Sequence, residues 1–357
     1  MFKIIDRYII RKFLGTYVFA ILLLLAIVVM FDVNEKLDSF AKAPLKATIF
    51  DYFVNFLPYF ANQFSPLFTF IAVIFFTSKL AGNNEIIAML STGMSFKRLM
   101  RPYMISAAVI AACTWVLGAY IIPPANVKRI DYTNTYVKNK RVDYGANIML
   151  MVAPGEIAYM SRYDNIARNG TRFQLDKFDK DKHLKSRLTA RSISWDTLYS
   201  WRIYDYVIRD FDAGREKISR GTSLDTAIPF EPRDFLIAKD DHEKMTTPQL
   251  ALYIERQRSR GVANIQSFEV EYQRRYAMCA AAFILTVIGM SLSSRKVKGG
   301  LGVNIGIGLV LSFSYILFMA ITQSFAYSGL TSPFVAMWIP NLIYSIIAVV
   351  LYRRAAV

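Results

Sequence analysis

Residue types that do chemistry are sparse in this 357-residue chain. The two histidines, His183 and His242, lie far apart, and neither has a second ligand at a spacing that suits a metal ion, so no metal site is expected. Cys113 and Cys279 both fall in apolar stretches, which leaves no disulfide framework. The sequence contains no Gly-x-x-x-x-Gly-Lys-Ser/Thr phosphate loop. We therefore predict no catalytic residues and no cofactor for the chain itself.

A glycine-rich segment, Gly300 to Gly306, is similar to a dinucleotide-binding fingerprint but has one residue too many. It also opens an apolar stretch long enough to cross a membrane. Small residues four positions apart let membrane helices approach closely. We therefore predict that Gly302 and Gly306 are helix-packing positions.

The most informative polar segment is the loop 81–99 between two apolar stretches. It predicts a short helix over about Asn84 to Ser91, ended by Gly93, with Ser95 able to cap the next helix. Its apolar residues exceed what a simple link needs: they are Ile86, Ile87, Met89 and Leu90. Such a helix has the form of a peg that docks into a groove on a soluble partner. The alternative is a helix packed against the membrane surface.

A second polar group lies in one half of the apolar stretch that precedes this loop. Its members are Asn55, Pro58, Asn62, Gln63, Ser65 and Pro66. Amides and prolines are costly in lipid and are tolerated where they face protein or a cavity. A kinked packing helix is the other interpretation.

The elements that position these residues follow from an uneven distribution of charge. Five stretches contain no Asp, Glu, Lys or Arg: 13–31, 54–78, 102–127, 276–294 and 299–352. A membrane span needs about 20 apolar residues. Four stretches fit one helix each, and the last fits two, broken near Ser328 and Pro333. Six transmembrane helices are predicted, which excludes a soluble globular protein and an outer-membrane barrel.

Basic residues near the span ends predict the orientation. The ends at Lys12, Lys79, Arg98, Lys296 and Arg353 carry a large excess of bases, whereas the alternate loops do not. Both termini are therefore expected in the cytoplasm. The net charge of +16 mainly reflects this topology and attraction to anionic lipids, so no nucleic-acid binding is expected. Residues 2–12 are amphipathic and predict a helix in the cytoplasmic interface, acting as an anchor or in gating.

The long region between spans three and four is expected outside the cytoplasm. Short aromatic and β-branched runs alternate there with turn signals at Asn169-Gly170, Asp212-Ala213-Gly214 and Arg220-Gly221-Thr222, which favours a β-sandwich or jelly roll. We expect residues 1–127 to form the interfacial helix and spans one to three, with the short helix over 83–92. Residues 128–263 would form the β-jelly-roll-like domain with a C-terminal helix, and 264–357 spans four to six.

These features resemble a known family. The opening Asp6-Arg7-Tyr8-Ile9, the loop Asn84-Glu85-Ile86-Ile87-Ala88-Met89 through Gly93-Met94-Ser95, and six spans with a β-rich domain after the third resemble the lipopolysaccharide exporter permeases of the LptF/LptG type. The resemblance runs the whole length. Its most specific piece is Glu-x-x-Ala-Met-x-x-x-Gly-x-Ser, and the Asp-Arg-Tyr start leans towards the LptG side.

The resemblance implies the partners and the candidate sites. It implies an inner-membrane permease that pairs with a second family subunit or with itself, with a cytoplasmic ABC ATPase dimer, and with a single-span periplasmic bridge component. The implied ATPase-coupling residues are Asn84, Glu85, Ile86, Ile87, Ala88, Met89 and Gly93. The family uses basic residues at the outer end of span one to meet lipid phosphates, but an acid stands near that position here. We take Asp32, Lys36, Lys42, Asn62 and Gln63 as candidate substrate contacts.

Three alternatives remain at this point. A permease for another lipid or for lipoproteins would share the external domain and the partner ATPase, although such chains usually have four spans. A non-transporting membrane scaffold is distinguished by its failure to bind an ATPase. An intramembrane enzyme is disfavoured because the charge-free stretches contain no ionisable acid–base group and no histidine.

Overall fold

A computed structural model describes residues 4–137, 144–179, 181–212, 215–232, 241–259, 265–294 and 300–356. The chain divides into two compact units. The helical unit comprises Met1–Val137, Glu243–Leu250 and Gln266–Val357, and the β-rich unit comprises Lys138–His242 and Ala251–Ile265. Lys296 of the predicted basic cluster and Ala213-Gly214 of a predicted turn lie outside the described residues.

Six helices in the described part of the chain are long and apolar enough to cross a membrane, which confirms the predicted number. The helices are α1 Ile4–Glu35, α2 Leu37–Lys42, α3 Leu45–Ala47, α4 Val54–Gln63, α5 Ser65–Gly82, α6 Glu85–Ser91, α7 Phe96–Val116, α8 Ile122–Tyr132, α9 Thr247–Ser259, α10 Gln266–Ser293, α11 Gly300–Tyr327 and α12 Pro333–Ala356. The candidate spans are α1, α5, the helical run Phe96–Val137 that contains α7 and α8, α10, α11 and α12.

Two helix boundaries differ from the sequence prediction. The N-terminal segment is not a separate interfacial helix, because α1 continues unbroken from Ile4 to Glu35. No proline interrupts it, and Asp6 and Ile9 are buried on the same side as Phe13. The second apolar stretch is instead two helices, separated at Phe64. Pro66 explains the break, since proline has no N–H to donate and favours the first turn of a new helix.

Helices α5 and α10 form the centre of the helical unit. α5 packs against α1, α10 and α11, while α10 also packs against α7 and α12. At Gly289 of α10, an added Cβ would lie 2.8 Å from Cγ1 and 3.1 Å from Cβ of Val73. Gly308 of α11 makes a similarly close approach to Ile74. At these two glycines the backbone of a neighbouring span comes close to side chains of α5.

The predicted packing glycines, Gly302 and Gly306, do not pack within this chain. A Cβ at either position would meet no atom within 4 Å. Each residue turns an α-helix by about 100°. Gly308 therefore lies on a different side of α11 from Gly306. It is Gly308, and not Gly306, that lies against Ile74 of α5.

We expect Gly289→Leu to destabilise the helical unit by about 1–3 kcal/mol, because β-branched Val73 has little rotamer freedom with which to yield. Gly306→Leu is the matched control and should be neutral or slightly stabilising, since leucine favours a helix more than glycine does. The thermal unfolding midpoint of the full chain in detergent measures both. Equal losses for the two variants would contradict this packing assignment.

The β-rich unit contains one antiparallel sheet of six described strands. The strands are β1 Tyr144–Ala153, β2 Glu156–Asp164, β3 Asn169–Phe178, β4 Leu184–Trp195, β5 Ser200–Asp212 and β6 Arg215–Ala227. Each strand pairs with the next one along the chain. The β-rich domain is thus confirmed, but its described strands form a meander in one sheet and not the two sheets of a sandwich or jelly roll. Short connections, such as Pro154-Gly155 between β1 and β2, explain the difference because they pair sequence neighbours.

Two predicted turn glycines lie inside strands. Gly170 belongs to β3, where an added Cβ would lie 2.8 Å from Sδ of Met160 and 2.9 Å from Cγ2 of Ile193. Gly221 belongs to β6, where a Cβ would lie 2.5 Å from the hydroxyl oxygen of Tyr206. Both glycines make room for side chains of neighbouring strands. Close approach of another group is one reason why glycine occurs inside a strand.

On each of the six strands, a residue is left out of the register that pairs it with its neighbours, and these residues form a row across the sheet. Its members are Asn147, Ser161, Arg172, Arg191, Asp205 and Thr222. Three of them, on β1, β3 and β5, have left-handed backbone with φ of 51, 52 and 49°. Successive side chains of a regular strand alternate between faces, so Met160 and Tyr163 would point to opposite sides. Both are fully buried here. The extra residue in each strand therefore shifts the alternation by one, so that the buried side chains on both sides of the row face the same apolar surface.

That apolar face carries the core of the β-rich unit. Trp201, Ile203 and Phe173 are buried in it. The segment after β6 lies over the same face, where Ile228 and Phe230 join the core. The indole Nε1 of Trp201 donates to the carbonyl oxygen of Phe230 at 2.9 Å. The sheet therefore offers one continuous apolar surface, already partly covered by its own chain.

Candidate functional site

Helix α6 lies at the end of the helical unit where α1 begins and α12 ends, which we call the terminal end. Asn84 precedes it with φ of 60°, and Gly93 follows it with φ of 86°. The Ser95 side chain accepts a hydrogen bond from the backbone N–H of Arg98, which confirms the predicted cap of α7. The short helix is thus held between two left-handed backbone positions and begins one residue later than the prediction.

Helix α6 presents two different faces. Ile86 is 1% exposed and joins the core of the helical unit, and Met89 packs against the same core. Ile87 is 54% exposed and Leu90 36% exposed, with the exposed Ala88 beside them. The inward pair fixes the helix in place. The outward residues form an apolar surface, which we call the α6 face, consisting of Ile87, Ala88 and Leu90.

Polar contacts tie α6 to the start of α1. The hydroxyl of Tyr8 donates to Oε2 of Glu85 at 3.2 Å, and the amide of Asn83 donates to Oε1 at 3.1 Å. Close by, the Arg98 guanidinium donates to the buried Asp6 carboxylate at 2.6 Å. Span one and the loop that carries α6 are therefore joined by two side-chain bridges. Sequence reasoning treated residues 2–12 as an interfacial helix and missed both bridges.

At the opposite end of α1, Asp32 and Lys36 form an ion pair, with Asp32 8% exposed. The Lys36 ammonium also donates to the hydroxyl of Tyr52 at 2.6 Å, and that hydroxyl donates to Asp32 at 3.1 Å. Burial and the nearby carboxylate raise the pKa of Tyr52 above its ordinary value, which keeps the phenol protonated. The Lys36 ammonium is thus already bonded to Asp32 and Tyr52 of the same chain. Lys42, at the end of α2, is exposed.

Asn62 and Gln63 end α4 and line a cavity of about 30 Å³. This volume suits water and is far too small for a lipid chain. Oδ1 of Asn62 is buried with no hydrogen-bond partner among the described residues. The structure therefore places these two predicted contacts beside a small cavity that is not lined by Asp32, Lys36 or Lys42.

Beside that cavity lies a network of partly and fully buried charges that the sequence did not reveal. Arg129 donates to Glu243 at 2.8 Å, and its guanidinium lies 4.3 Å from the ring centroid of Tyr59. The hydroxyl of Tyr59 donates to the other oxygen of Glu243 at 3.1 Å. On α10, Glu271 accepts from Arg274 and Arg275, each at 2.9 Å. Arg129, Arg274 and Arg275 lie just outside the ends of apolar stretches, where a charge is usually solvated, and Glu243 is distant from them in sequence.

Arg275 is the most buried cation of the network, at 6% exposure. Besides Glu271, it donates to the hydroxyl of Thr247 at 2.9 Å and to the carbonyl oxygen of Met245 at 3.0 Å. Glu243 is held from the other side by Arg129. The strap Glu243–Thr247, which leads into α9, is therefore fixed to α8 and α10 by ionic and hydrogen bonds.

No group of three potential metal ligands occurs within the described ranges. The arrangement offers an exposed apolar surface on α6 at one end of the bundle, and a charge network and the exposed Lys42 at the other. An exposed apolar surface is suited to binding another molecule, and the charge network joins the strap Glu243–Thr247 to α8 and α10.

A comparison with curated proteins gives no match. The profile of one protein family, described as lipopolysaccharide export system permease LptF/LptG, matches residues 7–354. The match includes α1, α6 and the β-rich unit. It covers nearly the whole chain, so this protein belongs to the LptF/LptG family of lipopolysaccharide export permeases.

Proposed function

We propose that the chain is the membrane-spanning subunit of an ABC exporter, which extracts lipopolysaccharide from the outer leaflet of the inner membrane and passes it to a periplasmic bridge. A separate cytoplasmic ATPase would bind and hydrolyse ATP, and this chain would carry no cofactor. The observation that carries the proposal is the α6 face, an apolar surface held outward by the buried Ile86. Both termini and α6 would lie in the cytoplasm, and the β-rich unit in the periplasm.

The energy path of this proposal runs through α6 and α1. Closure of the ATPase dimer would push on Ile87 and Leu90 and move α6. Because Glu85 is bonded to Tyr8, and Asp6 to Arg98, the start of span one would move with it. Spans one and five, α1 and α11, would act as gates of a cavity shared with a second permease subunit of the family, or with a second copy of this chain.

The substrate path begins at the outer end of α1. The head group of the lipid would stay near Lys42, whose ammonium is exposed, while the acyl chains enter the apolar cavity between subunits. Collapse of that cavity would drive the lipid towards the β-rich unit. The apolar face around Trp201 would then receive acyl chains, provided that Phe230 moves aside, and deliver them to a single-span bridge component.

Lys42→Glu is expected to lower photo-cross-linking of lipopolysaccharide to the chain several-fold, because it replaces an exposed cation by an anion that repels lipid phosphates. The thermal stability of the variant should not change, since surface substitutions are usually within about 0.5 kcal/mol. Lys36→Met should instead lower stability, because it leaves the buried Asp32 without its cation. The assay is cross-linking in membranes, beside thermal unfolding in detergent. Unchanged cross-linking in Lys42→Glu would remove Lys42 from the substrate path.

The proposal as a whole is tested by purifying the tagged chain in mild detergent from its native membranes and identifying the bound proteins and lipids by mass spectrometry. Recovery of a soluble ATPase, another permease subunit and a lipid A-type glycolipid is expected. A lipoprotein in place of the glycolipid would favour the lipoprotein exporter. No ATPase, even after cross-linking through α6, would favour the scaffold.

A further inference from the structure

A groove in the helical unit takes no part in the function proposed above. Helices α7 and α12 both pack against α10. The groove between them has an α10 floor that includes Phe283 and Val287, and walls that include Met104 of α7 and Val349 of α12. Its volume is about 780 Å³, within the range of roughly 300–1,000 Å³ that small-molecule pockets occupy. A long apolar ligand has room here.

Three basic residues line this groove towards the terminal end: Lys97, Arg101 and Arg353. All three are exposed. No acid lines the groove, and none of these cations forms an ion pair within the part of the chain that the structure describes. Neighbouring Arg98 differs, because it is paired with Asp6. The rings of Phe96 and Tyr352 touch at this end, with centroids 5.6 Å apart.

We propose that this groove binds an anionic phospholipid. Its phosphate would lie among Lys97, Arg101 and Arg353, and an acyl chain would lie along Phe283 and Val287. Basic pockets between membrane helices at the cytoplasmic side bind anionic head groups in this way. A helix of another protein is a poorer occupant, because helix interfaces in membranes favour small residues, whereas most side chains of this groove are bulky, with Ser345 and Ala348 as the exceptions. Flexible Met104 adapts readily to a lipid chain.

The charge part of the proposal is tested with the triple variant Lys97→Ala/Arg101→Ala/Arg353→Ala. The full chain is purified in detergent micelles doped with phosphatidylglycerol or phosphatidylethanolamine, and bound lipid is counted by native mass spectrometry. Retained phosphatidylglycerol should fall at least roughly ten-fold. The control Arg11→Ala/Lys12→Ala/Lys79→Ala removes the same charge from exposed positions outside the groove and should retain the lipid.

The apolar part is tested without altering charge. Ser345→Phe fills the groove from α12 and should also release phosphatidylglycerol, whereas Leu342→Phe, at a position 63% exposed and outside the groove, should not. A photo-reactive residue at Ile284 should capture lipid. The proposal is overturned if Ser345→Phe and the triple variant both retain phosphatidylglycerol, if phosphatidylethanolamine binds equally well, or if Ile284 captures a polypeptide. None of these readouts depends on lipopolysaccharide transport, so this inference and the proposed function can fail separately.

Discussion

Ile87→Asp/Leu90→Asp is expected to abolish recovery of the ATPase with the chain and, with it, ATP-driven transport. Both side chains belong to the α6 face and point away from the core. Central apolar anchors of an interface contribute about 2 kcal/mol or more each. Losing two of them weakens binding by roughly three orders of magnitude. The amount of ATPase that co-purifies in mild detergent is the measurement.

The control for this variant is Leu45→Asp, which places a carboxylate at an apolar side chain that is 75% exposed in α3, at the other end of the bundle. It should bind the ATPase normally. Glu85→Lys should also uncouple transport, because it breaks the bond from Tyr8 and reverses the charge beside the α6 face. Normal ATPase association and normal transport in Glu85→Lys would show that this helix is not the coupling element.

Arg275→Met is expected to lower the stability of the helical unit by about 3–5 kcal/mol, because removing one partner of a buried ion pair leaves uncompensated polar groups. Glu271 would keep Arg274 as its cation, but the hydroxyl of Thr247 and the carbonyl of Met245 would lose their donor. A loss of this size lowers the midpoint of thermal unfolding by about 10 °C. Thermal unfolding of the full chain in detergent measures it.

Two further variants separate charge from geometry at this position. Arg275→Lys keeps the charge but loses the planar fork, so it should restore only part of the stability. Glu271→Leu/Arg275→Met removes both partners but also leaves Arg274 without its carboxylate, so it should be no more stable than Arg275→Met alone. If Arg275→Met unfolds at the wild-type temperature, the network does not fix the strap Glu243–Thr247.

The membrane spans were predictable because charge is excluded from lipid. The charge-free stretches of the sequence therefore correspond to helices, and Ser95 before a helical run correctly predicted the cap of α7. Pro58 and Pro66 indicated a kink in the second stretch, but the sequence analysis predicted a single helix there and missed the break at Phe64. The continuation of the third span to Val137 had no such signal, since Arg129 there resembles a solvated residue.

The side-chain partners were harder to predict. Glu243 and Arg129 are far apart in sequence, and no local pattern pairs them. The pair Asp32–Lys36 did carry a signal, because an acid four residues before a lysine on a helix favours an ion pair. The family resemblance directed attention to lysines as lipid ligands and so obscured that simpler pairing. It also drew Ile86 into the docking set, whereas burial assigns Ile86 to the core.

The β-rich unit shows the limit of turn signals. Gly170 and Gly221 predicted turns but lie in strands because neighbouring side chains occupy the space of a Cβ. The left-handed residues Arg172 and Asp205 carry no sequence signature for the row that crosses the sheet. That row decides which side chains share the apolar face, and only the paired strands reveal it.

The central claim is that this chain moves lipopolysaccharide with energy delivered through α6. The most direct measurement uses proteoliposomes that contain lipopolysaccharide and the purified complex of the chain with its ATPase and bridge component, and follows lipopolysaccharide transfer to the bridge after ATP is added. The account predicts ATP-dependent transfer that Ile87→Asp/Leu90→Asp abolishes. ATP hydrolysis by the wild-type complex without any lipopolysaccharide leaving the vesicles would contradict it.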